Sequence, residues 1–220
     1  MLKVRMTSDQ VLLGLLRYIV FLFSTTCHEA AHAYVALKGG DPTAAEGGQV
    51  SLNPLPHIRR EPFGMVVLPL LSLTMSGAMV GWASAPYNPA WQRAYPKRAA
   101  LMALAGPTMN FALAILSGLL LRALLLSGGV QREGATGAVA VILQIGFQLN
   151  LLLGIFNLLP FPPFDGFGVL GLLTGSFAAL ESLRLRLRQF SIIGLVVGWQ
   201  VVNYVFPPVY LFASNLIFGR

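Results

Sequence analysis

Thr25-Thr26-Cys27-His28-Glu29-Ala30-Ala31-His32 sets two histidines and a glutamate inside a run that is otherwise apolar from about residue 11 to 37. That run exceeds the roughly 20 residues a helix needs to cross a hydrocarbon core of about 30 Å. Four-residue spacing stacks His28 and His32 on one helical face, so two imidazoles converge on one metal ion. Glu29 follows the first of them directly, projects beside the metal and is placed to take a proton from a bound water. Zinc then supplies the acidity and Glu29 the base. Coincidence is a poor explanation, because the chain has only three histidines and eight acids, and ionisable groups inside an apolar span are costly enough to mark function.

Outward from this helix the same apolar character continues. With 55% hydrophobic residues, 10% charged and a mean hydropathy of +0.70, the composition excludes an ordinary soluble domain. Apolar stretches fall at about 11–37, 62–85, 101–127, 137–160 and 190–216, with a short one at 165–175 after Leu159-Pro160-Phe161-Pro162-Pro163. The fold class expected is an all-α polytopic membrane protein, with residues 1–220 forming one integral-membrane domain. The longest polar connection, about 38–61, is broken by glycine and proline and reads as turns with a short hairpin. One cysteine, Cys27, excludes an internal disulfide and reads as a packing residue. The net charge of +7 is scattered among short loops, which argues against nucleic acid and for the headgroups of a lipid bilayer. Lys3 and Arg5 imitate the start of a signal peptide, but the run they precede continues into the histidines, so it is read as retained.

A catalytic zinc takes three protein ligands and keeps one position open. Asp9, Asp41, Glu46, Glu61, Glu133 and Glu181 belong to loops or to the amino terminus, so Asp165 is the third ligand by elimination, for one zinc per chain. Without that need it would read as an Asp-Gly turn after a proline run. Asn157 and Asn110 are amides near the proposed site, able to bind substrate backbone or a developing oxyanion, or to bond a neighbouring helix. His57 reads as a surface or headgroup contact, and Arg17 and Arg122 as residues that snorkel or pair.

Several separated motifs together resemble the site-2 protease family of intramembrane metalloproteases. They are His28-Glu29-Ala30-Ala31-His32, then Ala105-Gly106-Pro107-Thr108-Met109-Asn110, similar to the family's glycine-proline-x-x-asparagine helix start, and then Asn157 through Pro163-Phe164-Asp165-Gly166, similar to the segment whose aspartate is the third zinc ligand. Ser51-Leu52-Asn53-Pro54-Leu55-Pro56-His57-Ile58 resembles the compact branch lacking a PDZ domain, although Arg59-Arg60-Glu61-Pro62 follows where isoleucine-aspartate-proline is common. Phe167 stands where a second glycine is common, and neither departure touches a ligand. The resemblance implies a site-2 protease-like core, a zinc endopeptidase, and substrates that are transmembrane proteins or peptides cut within or beside their membrane segments. Self-association into a homo-oligomer is left open.

Parity constrains the topology. His28 lies 17 residues after Val11, about 25 Å along the helix, so the metal sits toward the exit face. A full crossing at 62–85 would bring 137–160 out on the wrong side for Asp165 to share the metal. If 62–85 is re-entrant, with Leu68-Pro69 and Ser76-Gly77 as its breaks, the site closes. The metal side then carries Lys38, Arg59, Arg60, Arg93, Lys97, Arg98, Arg184, Arg186 and Arg188, against Lys3, Arg5, Arg132 and Arg220 opposite. That asymmetry places the metal toward the cytoplasmic face of a multi-pass cell-membrane protein. The main rival reading is a catalytically silent zinc-binding membrane scaffold or chaperone; a structural zinc, however, is closed by four protein ligands, and only three good ones are present. A transporter would spread its ionisable residues along a path instead of gathering them at one depth.

Overall fold

The computed structural model describes residues 7–76, 79–129 and 134–219. The chain is an all-α polytopic membrane protein, with no strand among the described residues. Thr7 and Gln10 form a reciprocal capping box that starts α1, Ser8–Lys38. Short helices α2 (Thr43–Glu46) and α3 (Pro54–Arg60) follow, and a π-helical turn, Phe63–Val67, runs into α4 (Leu68–Ser76). After α5 (Pro89–Ala94) come the long α6 (Pro96–Leu126) and α7 (Ala135–Asn157), then α8 (Asp165–Thr174), α9 (Phe177–Leu187) and α10 (Ser191–Phe218). The expected spans are thus found with ends shifted by a few residues. The short hairpin expected within 38–61 is replaced by α2, glycine turns and α3. Lys3, Arg5, Arg132, Glu133, Gly77 and Arg220 lie outside the described residues.

Four helical stretches among the described residues are long and apolar enough to cross a membrane, and α1 is the most enclosed, 44% of its apolar window being buried against 28% or less in the others. The polar run Ser24–Glu29 therefore faces protein instead of lipid. α6 runs antiparallel to α1, with Asn110 level with His28 and Met102 level with His32. α7 is antiparallel to α6, Phe147 filling the space left by Gly118 and Phe111 that left by Gly154. α10 closes the bundle beside α6 and α7: Ile217 packs on Gly118, and the Arg122 guanidinium, inside an apolar span, donates to the Ile217 carbonyl at 2.6 Å. That bond gives Arg122 its partner.

The helical part of the 62–85 segment is short. The π-turn and α4 rise together about 21 Å at 1.5 Å per residue, short of the 30 Å core. They descend along α1 from Tyr18, whose hydroxyl donates to the Met65 carbonyl, to Gly14, against which Leu73 packs. A segment over 79–88 without helix or strand then brings the chain back. The Trp82 N–H donates to the Gly64 carbonyl at 3.0 Å, the Gln49 amide donates to the Ser84 carbonyl at 3.1 Å, and the Asn88 N–H reaches Asp41 at 2.7 Å. These bonds tie the non-helical chain to the loop after α2, the π-turn and the loop after α1. The start of the segment meets its return, the Trp82 indole and the Ser84 hydroxyl both donating to the Glu61 carboxylate, and the return ends at Asp41, just past the end of α1.

Candidate metal centre

His28 and His32 project from α1 toward α6 with ring centroids 4.6 Å apart. Their approach requires Gly106: a Cβ there would clash with Nε2 of both rings. Pro107, in the same turn, withholds the helical bond to the Ala103 carbonyl. This segment was expected to start a helix; instead it lies inside α6, because Pro96 at the first turn begins the helix earlier.

Asp165 arrives from the other direction. Leu159, Phe164 and Val202 form a buried cluster with Phe156 and Phe161 against it, and Gly198 of α10 leaves room for the Phe164 ring. Gly166, where a Cβ would strike the Leu158 carbonyl, lets the start of α8 lie against the chain leaving α7. Asp165 is the first residue of α8, where the helix dipole favours a carboxylate.

The three groups meet. His28 Nε2 lies 2.9 Å from His32 Nε2, and Asp165 Oδ2 lies 3.2 Å from the first and 3.3 Å from the second. Each ring's remaining nitrogen is already engaged: His32 Nδ1 is 2.7 Å from the Met102 carbonyl and His28 Nδ1 is 2.5 Å from Asn110 Oδ1. Both partners are acceptors, so each Nδ1 carries the hydrogen and each Nε2 presents a lone pair. Two lone pairs and a carboxylate oxygen thus crowd together, an arrangement that repels itself unless a cation lies among them. A tetrahedral zinc with bonds of about 2.1 Å holds its ligand atoms about 3.4 Å apart, so this triangle fits one with its fourth corner open. Among the described residues this is the one group of three or more histidine, cysteine or acidic side chains that could hold a metal. Glu29, next to His28 and 6% exposed, is buried with it.

The other residues singled out in the sequence fall differently. Asn110 is 0% exposed with its oxygen on His28 and its Nδ2 on Asn150, so it joins α1 to α7 across the site. The Asn157 amide donates to the Leu153 carbonyl of its own helix at 3.1 Å. His57 is 1% exposed, not a surface or headgroup contact: α3 turns it inward, where Nε2 bonds the Ser51 carbonyl at 3.0 Å. Cys27 is buried beside a groove of 770 Å³ between α1 and α6, lined also by Ala31, Tyr34, Leu101, Ala105 and Met109. Two residues turn a helix by about 200°, so Glu29 points nearly opposite to Cys27 and this groove is not the reaction side. Sequence reading assigned no role to Gly106, Asn150 or Ser24. Asn150 carried the signal applied to Asn110, an amide inside an apolar span, whereas the task of Gly106 is visible only once α6 crosses the rings.

Known proteins are similar to this chain. It is 37% identical over 162 residues to "Putative zinc metalloprotease YwhC" of Bacillus subtilis, covering 72% of this chain and 69% of that protein. It is 32% identical over 154 residues to "Putative zinc metalloprotease Rip2" of Mycolicibacterium smegmatis and 33% over 150 residues to the Mycobacterium tuberculosis protein of the same name. Each match covers 68% of this chain and 54% of the relative, so the chain spans about half the length of the mycobacterial proteins. No family model and no solved structure matches.

Proposed function

The chain belongs to the zinc metalloprotease family that includes YwhC, and on that premise we propose that it is an intramembrane endopeptidase of the site-2 protease type. The observation that carries this reading is the convergence of two histidine lone pairs and the Asp165 carboxylate beside buried Glu29 in the most enclosed spanning helix. His28, His32 and Asp165 would hold one zinc per chain. Bound there, zinc supplies Lewis acidity to the scissile carbonyl and to the attacking water. Glu29 takes the proton of that water and returns it to the leaving amine. The whole chain acts as one membrane domain, with its site toward the cytoplasmic face. Supporting that orientation, Lys38, Arg93, Lys97 and Arg98 all lie where α1 ends and α6 begins.

The substrates are transmembrane proteins or peptides. A helical substrate hides its peptide bonds, so it must unwind or add as a strand to be cut. The chain over 79–88 offers an edge for such a strand; photo-crosslinks from a bound substrate that never fall on 79–88 would remove that role from it. The scaffold reading is weaker, because three ligands leave a corner open where a structural zinc is closed.

Zinc content and cleavage of a model transmembrane substrate in detergent test the reading. The expected result is about one zinc per chain and cleavage by the wild type, with Glu29→Gln keeping the metal and losing cleavage. Cleavage unaffected by Glu29→Gln would establish that Glu29 is not the base, and zinc binding with no cleavage by the wild type would return the site to structural or scaffold use.

A further inference from the structure

His32 and His28 reach the same tautomer by different routes. His32 Nδ1 donates straight to a backbone carbonyl, that of Met102, which can only accept. His28 Nδ1 faces an asparagine, and an amide can turn either its oxygen or its nitrogen outward. Which end faces His28 decides where the ring proton sits, and so whether Nε2 has a lone pair for a metal.

We infer that Asn150, anchored on the Gly146 carbonyl and on Ser24, is the positioning residue that sets the tautomer of His28 through Asn110. The polarity follows one step at a time from an atom that cannot donate. The Asn150 Nδ2 donates to the Gly146 carbonyl at 2.9 Å and to Ser24 Oγ at 2.9 Å. With its nitrogen committed there, Asn150 turns its oxygen to Asn110 and accepts from Asn110 Nδ2 at 2.9 Å. Asn110 must then present its own oxygen to His28, which selects the Nδ1–H form. Ser24, Asn110 and Asn150 are 0%, 0% and 2% exposed, so the line is shielded from bulk solvent. The relay joins α1, α6 and α7, and any one amide flip in it would set two donors or two acceptors face to face. Neither Asn150 nor Ser24 touches the metal position.

The inference rests on the metal site proposed above, and its tests separate the two. In metal-free wild type carrying ¹⁵N-labelled histidine, the His28 hydrogen is expected on Nδ1; finding it on Nε2 would overturn the relay outright, with no substitution involved. Asn150→Leu removes the anchor with the same branched shape, frees the Asn110 amide to turn, and is expected to weaken zinc binding 10- to 100-fold in chelator competition. Adding Asn110→Asp to that variant supplies a carboxylate, which accepts whichever way it turns, and is expected to restore most of the affinity. Wild-type affinity in Asn150→Leu, or a double variant no better than the single one, would show that the relay does not set the tautomer. Should the wild type itself take up no zinc, the metal reading fails instead, while the ring-proton measurement still judges the relay.

Discussion

Replacing Gly106 by alanine separates the metal site from the fold more cleanly than replacing a ligand. The added Cβ would stand inside contact distance of Nε2 on both His28 and His32, and of His28 Cε1 at 2.6 Å. Ordinary carbon contacts are about 3.5 Å, so a ring must retreat by roughly 1 Å. The ligand atoms are only 2.9 to 3.3 Å apart, and metal bonds tolerate about 0.2 Å, so a displacement of that size opens the site. Zinc affinity is expected to fall at least 100-fold, about 2.8 kcal/mol. Helix propensity acts the other way, alanine being favoured over glycine by about 1 kcal/mol in a helix interior. Moving a buried ring costs about 1–3 kcal/mol and offsets that gain, so the metal-free protein should unfold in detergent at a temperature close to that of the metal-free wild type, while chelator competition finds the zinc site lost. Zinc retained within a few-fold of wild type would refute the packing argument, and a collapse of the metal-free fold would show that Gly106 serves the fold instead of the site.

Other outcomes follow from the same geometry. Asp165→Asn keeps one carbonyl oxygen but loses the charge, so zinc binding and cleavage should weaken together; cleavage lost with metal affinity unchanged would remove Asp165 from the ligand set. Burial alone pushes the Asp41 carboxyl up, but hydrogen bonds from the Thr43 hydroxyl, the Asn88 N–H and the Thr43 N–H outweigh it and hold it below the usual carboxylate range. Its folded pKa is lower than its unfolded value of about 3.9, so its contribution to stability is complete above that pH and is lost as pH falls through the folded value. Asp41→Asn should flatten the acid limb of the thermal-stability profile; an unchanged limb would mean this clasp adds nothing. A re-entrant 62–88 segment predicts that cysteines placed at Glu46 and Asn88 in a Cys27→Ala background react with an impermeant thiol reagent from the same side of sealed vesicles, and labelling from opposite sides would restore a full crossing.

Much of this protein was legible in the chain because lipid leaves few options. A backbone in hydrocarbon must satisfy its own hydrogen bonds, so apolar runs near 11–37, 101–127, 137–160 and 190–216 had to become helices, and the ends found lie within a few residues of those read. The pairing of His28 with His32 is local geometry, set by helical pitch. Asp165 was reachable because so few acids sit in apolar surroundings. Other features depend on which helix meets which. His57 is polar and lies in a loop by sequence, yet α3 turns it inward. Asn110 and Asn157 looked alike along the chain, but one lies across from His28 and the other turns to its own helix. The need for glycine at 106, and the anchoring of Asn110 by Asn150 and Ser24, belong to no single helix: they exist only where α1, α6 and α7 come within hydrogen-bond reach, a distance that spacing along one helix does not encode.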